Sequence, residues 1–146
     1  LQPVNEPKIF FFKEGIKFRL SKRDRLQNWI LKLIKKEGFG VSDINFIFCS
    51  DIYLREINRK YLGHDYFTDI ITFDNSGSEI LIGGDIFISI DRVQENSITY
   101  NISFSDELHR VMAHGVLHLL GYGDKNKKER GEMKKMENRW LDSRRF

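Results

Sequence analysis

The chain has one cysteine, four histidines and no long apolar run, and each scarcity narrows what it can be. With Cys49 alone no internal disulfide can form, so packing must hold the fold. A lone thiol after an apolar run reads as a small core residue and suits a reducing compartment. No stretch approaches the roughly 20 apolar residues that a membrane-spanning helix needs. Leu1-Gln2-Pro3 lacks the charged-then-apolar pattern of a secretory signal, and no internal repeat is visible. These features predict a soluble, cytoplasmic protein with no membrane partner. A length of 146 residues predicts one domain, residues 1–146, with room for a real core.

Charge is plentiful but nearly balanced, with a net of +3. Its distribution says more than its sum. Lys22, Arg23 and Arg25, then Lys32, Lys35 and Lys36, then Lys125 to Arg130 with Lys134, Lys135, Arg139, Arg144 and Arg145, form basic clusters that could follow a phosphate backbone. A solvated helix face explains each cluster equally well.

Hydrophobic periodicity divides the chain into nine elements. Ile9 to Phe12 and Ile16 to Leu20, around Glu14-Gly15, read as one bent strand or a small hairpin. Leu26, Trp29, Ile30, Leu33 and Ile34 then recur at helical spacing, with Ser21 as N-cap and Gly38 to Gly40 as the stop. Ile44, Phe46 and Phe48 alternate into Cys49 as a strand. Ser50 or Asp51 caps a helix to about Tyr61 that turns Ile52, Leu54, Ile57 and Tyr61 inward. Asp69 to Phe73 is a β-branched and aromatic strand, Ser76-Gly77-Ser78 a turn, and Glu79 to Ile90 a strand. Gly83-Gly84 within that last strand predicts a bulge or a close backbone approach. Asp91 is the expected cap of a helix carrying Val93 and Ile98. Ser103, with Asp106 three residues on, opens a long helix ending at Gly121. Asn126 to Leu141 is a surface helix with an apolar stripe of Met133, Met136, Trp140 and Leu141. The aromatic residues Phe10, Phe11, Phe12, Phe46, Phe48, Phe73 and Phe87 are expected in the strand core. The order implies an α+β fold, a small mixed sheet with helices packed mainly on one side.

Chemistry concentrates near the end of the long helix. His114 and His118 lie one turn apart, so both imidazoles leave one face. Gly121 can take a left-handed conformation and turn the chain back, bringing Asp124 towards them. Such a pair also arises by chance, and a buried histidine bonded to backbone is the ordinary alternative. Two stacked imidazoles in a buried helix, however, each need a partner. Two imidazoles and a carboxylate suit zinc, and also nickel, iron or manganese. No fourth ligand is evident, since Cys49 is distant and spacing does not position His64 or His109, so an open, catalytic site is expected. Zinc proteases of the familiar helical motif place glutamate directly after the first histidine. Here that position is Gly115, which argues against peptidase chemistry and suits close helix packing.

His114-Gly-Val-Leu-His118-Leu-Leu-Gly-Tyr122 resembles the HGxLHLxGYDH signature of the YbeY family of bacterial rRNA maturation factors. Ile57 to Phe73 (INRKYLGHDYFTDIITF) is similar to that family's LNxxYRxxDxPTDVLSF block, and Gly84 to Ser89 (GDIFIS) to its GDIxIS strand. The resemblance implies a single-domain, metal-dependent endoribonuclease with a zincin-like helix. Its implied reaction is hydrolysis, or attack by a ribose hydroxyl, at a phosphodiester of single-stranded RNA. The implied setting is maturation of the 16S rRNA 3′ end on the small ribosomal subunit, and ribosome quality control. Two positions depart from the pattern. Asp124 stands where the family has a third histidine, which implies a site of two histidines and an aspartate. Leu62 stands where the family has an arginine that aids cleavage, leaving Arg59, His64 and Arg110 as candidate cations. Thr68, Asp69 and Asp85 are candidate substrate-lining residues, although turn and strand-end hydrogen bonding explains them as well. Tyr66 and Phe67 are candidates for base stacking. The competing readings are a non-catalytic ribosome-assembly module that keeps the metal as a fold staple, and a metallohydrolase of another substrate.

Overall fold

A computed structural model describes residues 8–146, so Leu1-Gln2-Pro3 lies outside the described residues. The elements follow the expected order: β1 (Ile9–Glu14), α1 (Arg23–Lys36), β2 (Gly40–Cys49), α2 (Asp51–Leu62), β3 (Ile70–Asp74), β4 (Leu81–Ser89), α3 (Ile90–Thr99), α4 (Phe104–Leu119) and α5 (Lys127–Asp142). The strands form one mixed sheet in the order β1-β2-β4-β3. β1 and β4 both run parallel to β2, and β3 closes the far edge antiparallel to β4. Among the described residues no helix is long and apolar enough to cross a membrane.

Strand alternation gives the two sheet faces different fates. Ile44, Phe46 and Phe48 of β2, with Ile82, Ile86 and Ile88 of β4, meet α1, α3, α4 and α5 in the main core. Among the described residues the opposite face carries only α2, through a small cluster of Cys49, Leu54 and Ile71. Helices therefore do pack mainly on one side. The uncovered half of the second face leaves Phe10 and Phe12 exposed, contrary to the expectation that all the strand aromatics are core.

Local readings fail where tertiary packing outweighs a residue's own preference. Ile16 to Leu20 is neither a strand nor half a hairpin. Gly15 turns the chain off the sheet at φ +67, and Phe18 then fills the core against Phe48, with ring centroids 5.1 Å apart. Ser21 does not cap α1, because Lys22 holds that position in a left-handed conformation without a side-chain cap. On α2 Leu54 and Asn58 are buried and Ile57 packs half-buried beside them, while Ile52 and Tyr61 are exposed. Ser50 is the cap there, its Oγ accepting from Tyr53 N at 3.1 Å. Ser89, not Asp91, caps α3, and Ile98 points outward. The Asp91 carboxylate instead accepts from Asp51 N at 2.8 Å, capping the first turn of α2.

The glycine pair in β4 is a place of close approach, and the bulge opposite it belongs to the partner strand. β2 has two residues, Ser42 and Asp43, where β4 has only Gly83, so the bulge lies in β2. A Cβ at Gly83 would collide with the Ser42 side chain, and one at Gly84 with the Phe73 carbonyl. Both glycines thus let strands approach where a side chain could not fit.

Candidate metal centre

α4 is buried along most of its length, including Met112, Ala113, Val116 and Leu117, and this fixes the azimuth of its histidines. Ser103 starts it, Oγ accepting from Asp106 N at 3.0 Å. Its end is a Schellman motif: Tyr122 N donates to Leu117 O and Gly121 N to His118 O, each at 3.0 Å, with Gly121 at φ +104. A Cβ added at Gly115 would lie 2.8 Å from Ile86 Cγ2, so glycine after His114 lets the helix sit close on β4.

The turn returns Asp124 to the histidines. Asp124 Oδ2 lies 3.2 Å from His118 Nε2 and 3.5 Å from His114 Nε2. The imidazole centroids are 4.6 Å apart with the rings nearly perpendicular, at 82°. One ligand atom from each of the three residues falls within 4.8 Å of the other two. The donor set fits a divalent cation: two neutral nitrogens and one carboxylate oxygen converge with one face left open.

A residue absent from the sequence reading orients this set. Glu137 of α5 is buried, and its Oε2 accepts from His114 Nδ1 at 2.7 Å. That bond puts the ring proton on Nδ1 and leaves Nε2 facing Asp124, the usual role of a carboxylate behind a metal-binding histidine. Burial alone would push the His114 imidazole down, but the Glu137 bond and charge, with Asp124 and Asp69, hold it above the ordinary histidine range. The available signal was position, since Glu137 falls one turn after Met133 on the apolar stripe of α5.

Two cavities meet at the centre. One, of about 590 Å³, opens toward α3 and α5; the other, of about 540 Å³, opens toward α2 and the loop after it. They share Asp69, Ile70, His114 and Asp124, so two of the three ligands stand in the common wall, or waist, while His118 lines the α2 side alone. Asp69 is half-buried in that waist, and desolvation pushes its carboxyl above the usual aspartate range. Thr68 lines the α2 side and donates to the Ile70 carbonyl at 3.3 Å. Asp85 does not reach the groove: it lies on the α2 face of β4, accepting from Asn45 Nδ2 at 3.0 Å.

The candidate cations separate in the same way. Arg59 is exposed, bound to Glu56 at 2.7 Å, and lines neither cavity. His64 stacks on Tyr66 at 5.2 Å and is hydrogen-bonded to its hydroxyl. Arg110 lines the α5-side cavity but donates to Glu137 Oε1 at 3.2 Å, which makes it a support for the carboxylate behind His114. Arg130, which sequence reasoning placed only in a basic cluster, lines that cavity too, with Nη1 3.5 Å from the Asp124 carbonyl. Leu62 and Tyr66 line the α2-side cavity, whereas Phe67 is held between the Arg55 and Arg92 guanidinium groups, each 4.9 Å from its ring centroid.

Comparison with known proteins agrees with this architecture. The family model described as Endoribonuclease YbeY matches residues 12–145. A protein of Cytophaga hutchinsonii named Endoribonuclease YbeY is 50% identical over 143 residues, 98% of this chain and 100% of its own length. A Porphyromonas gingivalis protein of the same name is 40% identical over 134 residues, 92% of this chain and 88% of its own. The solution structure of a Thermotoga maritima protein superposes with a TM-score of 0.66 at 28% identity, covering 92% of this chain and 87% of that one. The chain belongs to the endoribonuclease YbeY family.

Proposed function

We propose that the protein is a metal-dependent endoribonuclease of rRNA processing that cuts single-stranded RNA at the groove waist, with zinc held by His114, His118 and Asp124. The carrying observation is that two of the three ligands, His114 and Asp124, stand in the wall shared by two cavities, with His118 beside them on the α2 side, so that a strand can lie across the centre rather than end at it. A divalent cation held by His114, His118 and Asp124 would supply polarisation of a phosphoryl oxygen and stabilisation of the negative charge developing there. The chain's own part is to hold the ligands, through Glu137 behind His114, and to offer Arg130 and Lys134 to neighbouring phosphates. We place its work in the cytoplasm, on the 16S rRNA 3′ end of the small ribosomal subunit, carried out by residues 1–146 as one domain.

Purified protein loaded with zinc and incubated with single-stranded RNA tests this, with His114→Ala alongside. Cleavage by the parent and none by the variant is the expected result; equal cleavage by both would assign it to a contaminant. A second reading, an assembly module whose metal is a structural staple, draws support from the engagement of Arg59 with Glu56 and of Arg110 with Glu137. It predicts no cleavage by the parent, together with loss of thermal stability when the metal is chelated.

A further inference from the structure

The cavity on the α5 side holds more polar chemistry than cation binding uses. Glu107 of α4 lines it, is 3% exposed, and has an Oε1 without a hydrogen-bond partner. A buried carboxylate oxygen without a donor carries a desolvation cost that an incoming N–H would relieve. Asp69 and Asn96 line the same cavity, joined by a hydrogen bond of 3.4 Å from Asn96 Nδ2 to Asp69 Oδ2. A second cation does not account for these groups. Among the described residues, His114, His118 and Asp124 are the only set of three whose ligand atoms converge.

Apolar surface lies beside the acceptors. Tyr100 is 61% exposed and lines this cavity with Ile102 and Val111. A flat ring for stacking, apolar walls and carboxylates at the edge together match a nucleobase that carries an exocyclic amine. The amine of adenine, cytosine or guanine donates to a carboxylate, whereas uracil presents carbonyl oxygens at the corresponding positions. The cavity's volume, about 590 Å³, falls in the range of small-molecule sites.

We propose that this cavity is a nucleobase subsite that holds the base next to the cleaved phosphate and selects amino-bearing bases over uracil through Glu107 and Asp69. It rests on the RNA-cleavage reading above, because Asp69 and His114 belong both to the cavity and to the groove waist.

The test uses the zinc-loaded full chain and fluorescein-labelled 2′-O-methyl oligonucleotides of equal length made of A, C or U, read by anisotropy. Cleavage of the matching unmodified RNAs is followed in parallel. The parent should bind the A and C probes about tenfold more tightly than U. Glu107→Met, close in volume and apolar, should level the three affinities, with a thermal melt establishing that it is folded. Tyr100→Ala, at an exposed position, should weaken all three by a similar factor of about ten, since stacking tolerates any base. Equal affinities in the parent, discrimination that survives in folded Glu107→Met, or binding unchanged in Tyr100→Ala would each overturn the proposal. Should Glu107→Met fail to fold, the parent's discrimination and the Tyr100→Ala result still decide it. A parent that binds selectively and cuts nothing would sink the nuclease reading and leave the subsite standing. Cutting without selectivity would do the reverse.

Discussion

Replacing Glu137 with glutamine keeps the shape of the side chain, removes its charge and strikes both bonds the carboxylate makes. His114 Nδ1 donates to Oε2 at 2.7 Å and Arg110 Nη1 to Oε1 at 3.2 Å. An amide has one oxygen, so its NH2 group must face one of these two donors. Turned toward His114, it removes the acceptor that fixes the ring proton on Nδ1. Turned toward Arg110, it leaves a guanidinium whose side chain is 29% exposed and can find water instead, so this orientation costs less. His114 then keeps an acceptor, but a neutral one, and charge-assisted bonds are about twice as strong as neutral ones. Losing such a supporting partner lowers metal affinity by about 10–100-fold, equivalent to about 1.4–2.7 kcal/mol. Zinc affinity measured by competition with a chromophoric chelator near neutral pH should fall by that factor in Glu137→Gln. Circular dichroism establishes that the variant is folded, and His114→Ala gives the floor. A folded variant with the parent's affinity would refute the argument that Glu137 orients His114.

Other consequences concern stability and the unused cations. His109 Nδ1 lies 2.7 Å from Arg144 Nη1 and must accept, so the ring is neutral; burial first, then the Arg144 charge, pushes its pKa from 6.5 to about 4. The unfolded chain therefore binds a proton that the folded chain does not, and stability is lost as pH falls from 6.5 to about 4, by up to about 3 kcal/mol. The carboxyls of Asp69 and Glu107, pushed up by burial, act in the opposite direction. Urea midpoints of the parent should thus drop relative to those of His109→Gln across that window, and parallel curves would refute the assignment. Gly115→Ala places a methyl 2.8 Å from Ile86 Cγ2 and 3.1 Å from Ile70 Cδ1. The strain costs about 1–3 kcal/mol, offset in part by the helix preference for alanine of about 1 kcal/mol. Urea titration should show a small loss, and a gain would mean the isoleucines move aside freely. Arg59→Ala should leave RNA cleavage unchanged, because Arg59 faces Glu56 and lines neither cavity. Loss of cleavage in that variant would put its charge back into the reaction.

The legible parts of the sequence were those with short-range causes. Gly121 at the end of α4, Ser50 and Ser103 at helix starts, and the His114/His118 pair act within one or two turns, and each occupies its expected place. What escaped depends on contacts between distant segments. Asp91 has the chemistry of a cap, yet it serves α2 because Ser89 already ends β4 one residue before α3 begins. Glu137 lies 23 residues beyond His114, and only the packing of α5 on α4 brings them together. Phe10 and Phe12 follow the strand pattern faithfully, but α2 covers just part of their face. Asp85 was a candidate through its place in the GDIxIS-like strand, and strand parity turns it to the other side of the sheet.

The two departures from the family pattern acquire a joint meaning from their positions. Leu62 lines the α2-side cavity, and among the described residues that cavity has no arginine or lysine in its wall, while Asp69, Asp74 and Asp124 all line it. Arg110, Arg130 and Lys134 line the α5-side cavity, and Arg110 is already paired with Glu137. Asp124, in place of a neutral histidine, adds a negative charge at the waist between them. A phosphodiester drawn into this groove therefore meets its free positive charge on one side only. Phosphates flanking the centre would then lie nearest Arg130 and Lys134, on the α5 side. The leucine is then a consistent partner of the aspartate rather than an isolated loss. On the α2 side Leu62 and Tyr66 add apolar wall to a cavity whose carboxylates come from Asp69, Asp74 and Asp124.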